Sequence, residues 1–200
     1  MAELTPLPWP IEALEPMLSA EAIQLHHGVI QKAYVDKLNA AGVGHVPLAE
    51  LERRLVGPLQ VAASQILNHD FYWASMIPRG GGPPRDPQLQ EAIRRSCGSW
   101  EGLLETWTAA STHLVGSGWL WLTLGAGGSL VIELTPNGQS PRGSGRVPLI
   151  VCDLWEHAYL PDWAAARRAY VEAFIDHLVC WRPAELVLRA MKIQAGEAPR

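Results

Sequence analysis

The chain has 200 residues, 48% of them hydrophobic, which is enough apolar material for a sizeable core and excludes wholesale disorder. A formal net charge of −4 and a pI of about 6.0 argue against a nucleic-acid-binding protein. Three widely spaced cysteines (Cys97, Cys152, Cys180) fit a reducing compartment better than a disulfide framework. The opening "MAELTPLPWP" has neither the basic nor the apolar region of a secretory signal, and no apolar run approaches the roughly 20 residues that span a bilayer. These features predict a soluble, intracellular protein, placed in the cytoplasm, with no membrane partner.

Residues 1–18, rich in Pro and apolar side chains, read as an extended arm. Ser19 can cap a helix with Glu21 in its first turn; that helix runs to about Asn39 and Gly42 stops it. A second helical pattern covers 47–77, interrupted near Gly57-Pro58. "PRGGGPPRDP" (78–87) is the strongest breaker and divides the chain into a 1–80 α-hairpin domain and an 88–200 α+β domain. Two helices follow, at 87–96 and 99–115. "GWLWLTL", "GAGGS" and "LVIEL" then read as strand, tight turn and strand, and "VPLIVCD" as a third strand after a looser 136–146. Helices at 163–181 and 184–193 complete the chain, with "RRAY" (167–170) as a solvated helix face. The predicted fold is an N-terminal long α-hairpin followed by an α+β domain with a three-stranded antiparallel sheet.

Asp153 and His157 stand four apart in "VCDLWEHAYL". The pair suits a transition metal, and the same spacing also makes an ordinary helix-surface hydrogen bond. The remaining histidines supply context. His26 and Tyr34 lie two turns apart on one face of the first helix. His69 shares a helix face with Gln65 and Trp73, a stripe that looks like a ligand with a hydrogen-bonding partner and an aromatic wall. Facing helices of a hairpin commonly build metal sites from inward side chains. One histidine from each helix plus the Asp153/His157 pair gives three imidazoles and one carboxylate, a donor set for iron or manganese.

Four stretches carry a family resemblance: "EPMLSAEAIQLHHG…YVDKLN", "QILNHDFYW", "GSGWLWL" and "CDLWEHAYLPDW". In this order and spacing, from Pro6 to Trp181, the chain resembles the iron/manganese superoxide dismutase family. The resemblance implies His26, His69, Asp153 and His157 as metal ligands, with one iron ion per chain and manganese as the alternative. It implies superoxide, a small anion, as substrate. Gln65 falls where iron-type members place the glutamine that hydrogen-bonds solvent on the metal. Gly138, in "PNGQSP", falls where manganese-type members place theirs, with Gln139 one position away. Tyr34 becomes the tyrosine at the mouth of the site, and Trp73, Trp119 and Trp155 the aromatic lining. Glu156 becomes the acid that reaches across a homodimer interface to the partner's ligand histidine. Lys32 and Arg168 are candidates for local steering of the anion.

The chain departs from the family pattern at a paired position. Ile30 replaces a usual histidine and Leu160 a usual tyrosine; in the family these two meet across the dimer interface near the substrate entrance. Replacing both polar partners with apolar ones can be nearly neutral, so the pair reads as an adapted interface. Leu67 replaces a usual tryptophan, and "CWRP" a usual Asn-Trp-Glu. The leading function is superoxide dismutation. The alternatives are other oxygen or redox chemistry on an organic substrate, through an entrance altered by Ile30 and Leu160, and a metal-free interaction module.

Overall fold

The computed structural model describes residues 1–194. Ser19 starts the first helix as expected: its Oγ accepts from the Ala22 N–H at 3.2 Å, and Glu21 sits in the first turn. Helix α1 (Ala20–Leu25) passes through a π-helical turn, His26–Gln31, into α2 (Lys32–Ala40). A π turn stacks residues five apart, and both of its ends, His26 and Gln31, are buried. Helix α3 (Leu48–Arg54) is short, and α4 (Pro58–Ala74) begins after Gly57 at φ +77 with Pro58 in its first turn. A small core of Val35, Leu38, Leu51, Ala62, Ala63 and Ile66 holds α2, α3 and α4 together.

Beyond the glycine-rich break come α5 (Pro87–Cys97), capped by Asp86, and α6 (Trp100–Ala110), capped by Ser99. Strands β1 (Gly118–Leu124), β2 (Leu130–Pro136) and β3 (Val147–Asp153) form an antiparallel sheet in the order β2-β1-β3. Every residue of β1 is buried, as befits a central strand covered on both faces. Helices α7 (Glu156–Trp163), α8 (Arg167–Ala173), extended by a π turn at Phe174–Leu178, and α9 (Arg182–Gln194) complete the fold. No described helix is long and apolar enough to cross a membrane. An α-hairpin followed by an α+β unit with a three-stranded sheet is the predicted architecture.

Several expectations need correction. The first 18 residues are folded, not an extended arm: turns carry Trp9, Leu14 and Leu18 into the main core. Helix α6 stops at Ala110, five residues early, because the hydroxyls of Ser111 and Thr112 take the Thr108 and Ala109 carbonyls. The expected 163–181 helix is interrupted at Ala164, which adopts φ +48, and α7 precedes the break. "RRAY" is a solvated face only in part, through the exposed Arg168. Tyr170 is buried and meets Tyr72 hydroxyl to hydroxyl at 2.9 Å, while Arg167 donates to the carbonyls of Leu114 and Gly116.

Candidate metal centre

The four predicted donors come together from four different elements. His26 opens the first π turn, His69 lies on α4, Asp153 ends β3, and His157 is in the first turn of α7. One donor atom from each lies within 4.8 Å of all the others. The Nε2 atoms of His26, His157 and His69 are 3.2, 3.5 and 3.8 Å from Asp153 Oδ2. None of these four atoms has a hydrogen-bond partner, although all are buried. Buried polar atoms are ordinarily satisfied, so four unpartnered donors facing one point fit a cation.

The sheet and the local turn aim Asp153. Its Oδ1 accepts the Trp155 N–H at 2.8 Å, which leads the chain into α7 and leaves Oδ2 for the site. Asp153 and His157 therefore belong to a strand end and the next helix, which removes the helix-surface reading of the pair. His69 Nδ1 is 2.7 Å from the Gln65 carbonyl oxygen, so Nδ1 carries the proton and Nε2 presents a lone pair. Burial pushes the His69 pKa down to about 3 and lowers that of His26, keeping both rings neutral as ligation requires. Burial alone would raise the Asp153 carboxyl; the His157 and His26 imidazoles hold it below the usual carboxylate range.

Aromatic rings enclose the site. The Trp73 ring lies 4.8 Å from His26, Trp119 5.1 Å from His69, and Trp155 5.7 Å from His157, centroid to centroid. Gln65 is fully buried and its amide is oriented at both ends: Trp119 Nε1 donates to Oε1 at 3.2 Å, and Nε2 donates to Tyr34 Oη at 3.3 Å. Gly138 packs on Gln65, whereas Gln139 is exposed and offers only its backbone carbonyl to Asn68 and Thr135. Gln31 was not singled out from sequence. It accepts from Trp73 Nε1 and donates to Asp70, both at 2.7 Å, and so fixes the indole that packs on His26. The π turn that buries Gln31 leaves no pattern in the sequence.

Other predicted residues are not among the four clustered donors. Glu156 is exposed and accepts from Ser117 Oγ at 2.7 Å. Lys32 and Arg168 are exposed and each is paired within its own helix, with Asp36 at 2.6 Å and Glu172 at 3.1 Å. Leu160 is 47% exposed on α7, and Ile30 is half-buried in the first π turn.

Comparison with known proteins identifies the family of both halves of the chain. Residues 2–77 match the alpha-hairpin domain of the iron/manganese superoxide dismutases, and residues 84–186 match their C-terminal domain. The chain is 40% identical over 176 residues to a superoxide dismutase [Fe] of Coxiella burnetii, covering 86% of this chain and 91% of the relative. It is 40% identical over 161 residues to a superoxide dismutase [Mn/Fe] of Porphyromonas gingivalis, covering 78% and 84%. It is also 36% identical over 222 residues to the chloroplastic superoxide dismutase [Fe] 1 of rice, covering 98% of this chain but only 56% of that longer protein. With matches spanning both halves and a clustered donor set, the chain belongs to the iron/manganese superoxide dismutase family.

Proposed function

We propose that this protein is a superoxide dismutase in which His26, His69, Asp153 and His157 hold one iron ion, with manganese as the alternative. The observation that carries the reading is the convergence of four buried, unpartnered donor atoms within 4.8 Å of one another. A redox-active ion held there supplies one-electron chemistry, releasing one superoxide as dioxygen and a second, with two protons, as hydrogen peroxide.

The chain's own groups bind, orient and exclude. Three neutral imidazoles and one carboxylate leave a net positive charge on a di- or trivalent ion, which favours an anionic substrate. Gln65 and Tyr34 form a polar edge in an otherwise aromatic pocket, and their hydrogen bond gives a path on which a proton can be held near the site. Trp73, Trp119 and Trp155 keep bulk water from the donors. Gln65 is the side-chain amide poised at the site, and Gln139 is exposed, which supports iron over manganese. The division into a 1–80 hairpin domain and an 88–200 α+β domain, the cytoplasmic location and the homodimer belong to the same reading. The dimer is inferred with Glu156, Ile30 and Leu160 at its interface.

The test is superoxide dismutation by purified protein, expressed per metal ion found by elemental analysis. A high rate per iron supports the reading. Full metal occupancy with negligible dismutation would overturn it and favour oxidation of an organic substrate, for which the apolar pair Ile30 and Leu160 gives the motive.

A further inference from the structure

We propose that Arg142 is a positioning residue for the metal site: by clamping the 137–142 loop to Glu52 and Asn68, it holds the Gly138 backbone against the side chain of Gln65. The inference rests on the reading of Gln65 as the amide that acts at the metal.

Among the described residues, Glu52 and Arg142 form the least exposed arginine–carboxylate pair, with side chains 14% and 25% accessible. The pair spans 90 residues of sequence and is bidentate, with Nε at 3.1 Å from Oε2 and Nη2 at 3.0 Å from Oε1. A fork of this kind fixes direction as well as distance. The pairs Lys32–Asp36, Arg94–Glu91 and Arg168–Glu172 lie within single helices and are far more exposed, where such contacts contribute little.

The clamp is extended by several further bonds. Arg142 Nη2 also donates to Asn68 Oδ1 at 2.5 Å, and the guanidinium lies 5.9 Å from the Trp121 ring centroid. Ser140 Oγ donates to Glu52 at 3.2 Å. Ser64 Oγ is 2.9 Å from Glu52 Oε1 and 2.5 Å from the Gly138 carbonyl oxygen, and its single hydrogen serves one of them at a time. Asn68 Nδ2 donates to the Gln139 carbonyl at 3.3 Å.

The placement on α4 gives the clamp its target. Ser64 and Asn68 form one i, i+4 ridge of the helix, and Gln65 and His69 form the neighbouring ridge. The loop grips the first ridge while the second faces the metal donors. A Cβ on Gly138 would lie 3.5 Å from Gln65 Cγ and 3.6 Å from its Cδ, so the loop backbone is the wall behind the amide. Loosening the loop gives Gln65 room to withdraw from Tyr34 and Trp119.

The experiment compares metal-loaded wild type with Arg142→Leu, Arg142→Lys and Glu52→Gln. Three readouts are taken: the reduction midpoint potential, the azide dissociation constant from optical titration, and amide hydrogen exchange of the 137–143 segment. The expected result for Arg142→Leu is a displaced potential, a dissociation constant changed by about three- to tenfold, and faster exchange. Arg142→Lys restores part of each, and Glu52→Gln moves each in the same direction as Arg142→Leu. A merely structural role predicts a lower melting temperature while the loaded fraction keeps the wild-type potential and azide affinity; that result overturns the proposal. Should Arg142→Leu fail to fold, unchanged potential and azide affinity in both other variants would overturn it equally. None of the readouts uses superoxide, so failure of the proposed activity and failure of this inference are distinguishable.

Discussion

Trp119 and Asp153 are cross-strand partners in the β1–β3 ladder. Opposed residues of an antiparallel pair send their side chains to the same face of the sheet, so the indole that packs on His69 and the carboxylate that faces three imidazoles arrive together. The register of one strand pair therefore sets both the wall and the donor.

Removing that donor should empty the site while sparing the fold. Asp153→Ala and His157→Ala are each expected to lower metal per chain by more than about tenfold, since even residues that only support a ligand can cost that much. Asp153→Ala also strands the Trp155 N–H, at a cost of about 1 kcal/mol. Elemental analysis beside thermal unfolding checks this; full metal in either variant would remove the ligand assignment.

Gly138→Ala probes the wall behind Gln65 from the opposite direction. The added methyl would stand 3.2 Å from Val61 Cγ1 and 3.5 Å from Gln65 Cγ, a tight fit. The expected outcome is a fall of about three- to tenfold in dismutation per metal, with a stability loss of about 1 kcal/mol. Activity at wild-type level would show that Gln65 tolerates displacement.

Tyr72 and Tyr170 share one buried hydroxyl–hydroxyl bond. Tyr72→Phe leaves the Tyr170 hydroxyl short of a partner and should cost about 1–3 kcal/mol. Tyr72→Phe combined with Tyr170→Phe should recover part of that loss, because both polar groups are then gone. Urea unfolding of the two single variants and the double variant measures the coupling; strict additivity would mean the bond contributes nothing.

Leu160→Glu tests the proposed homodimer. Leu160 is 47% exposed within one chain, and a charge there should be unfavourable in an apolar interface. The variant is expected to sediment as a monomer while wild type sediments as a dimer. A wild-type monomer would exclude the proposed interface.

Glu52 gives a pH dependence of defined sign. Burial would raise its pKa, but the Arg142 guanidinium and the serine hydroxyls hold it below the model-peptide value of 4.5. The stability it contributes is therefore fully present above pH 4.5 and is lost as pH falls through the lowered folded value. In the metal-free protein, the stability gap between wild type and Glu52→Gln should be constant above that pH and narrow below it. Urea midpoints across that range test this, and a gap that widens on acidification would contradict it.

Much of this molecule is local and was legible in its sequence. The Ser19 cap, the Gly57-Pro58 interruption, the 78–87 break and the three strands follow from capping, backbone restriction and alternation, which neighbouring residues impose on one another. The four residues that the fold gathers were also legible, because His26, His69, Asp153 and His157 stand in motifs with distinctive neighbours. Helix α7 was missed because it is only eight residues long and contains Pro161, a local signal against a helix. The π turn that buries Gln31, and the burial of Tyr170 within a charged "RRAY" stretch, were equally invisible. The Glu52–Arg142 clamp and the common point faced by four donors depend on groups distant in the chain, and only tertiary packing decides which of them meet. Residue type fixes what a side chain can donate or accept; the fold alone fixes the partner, because hydrogen bonds and ligation act over a few ångströms of space, whatever the separation along the chain.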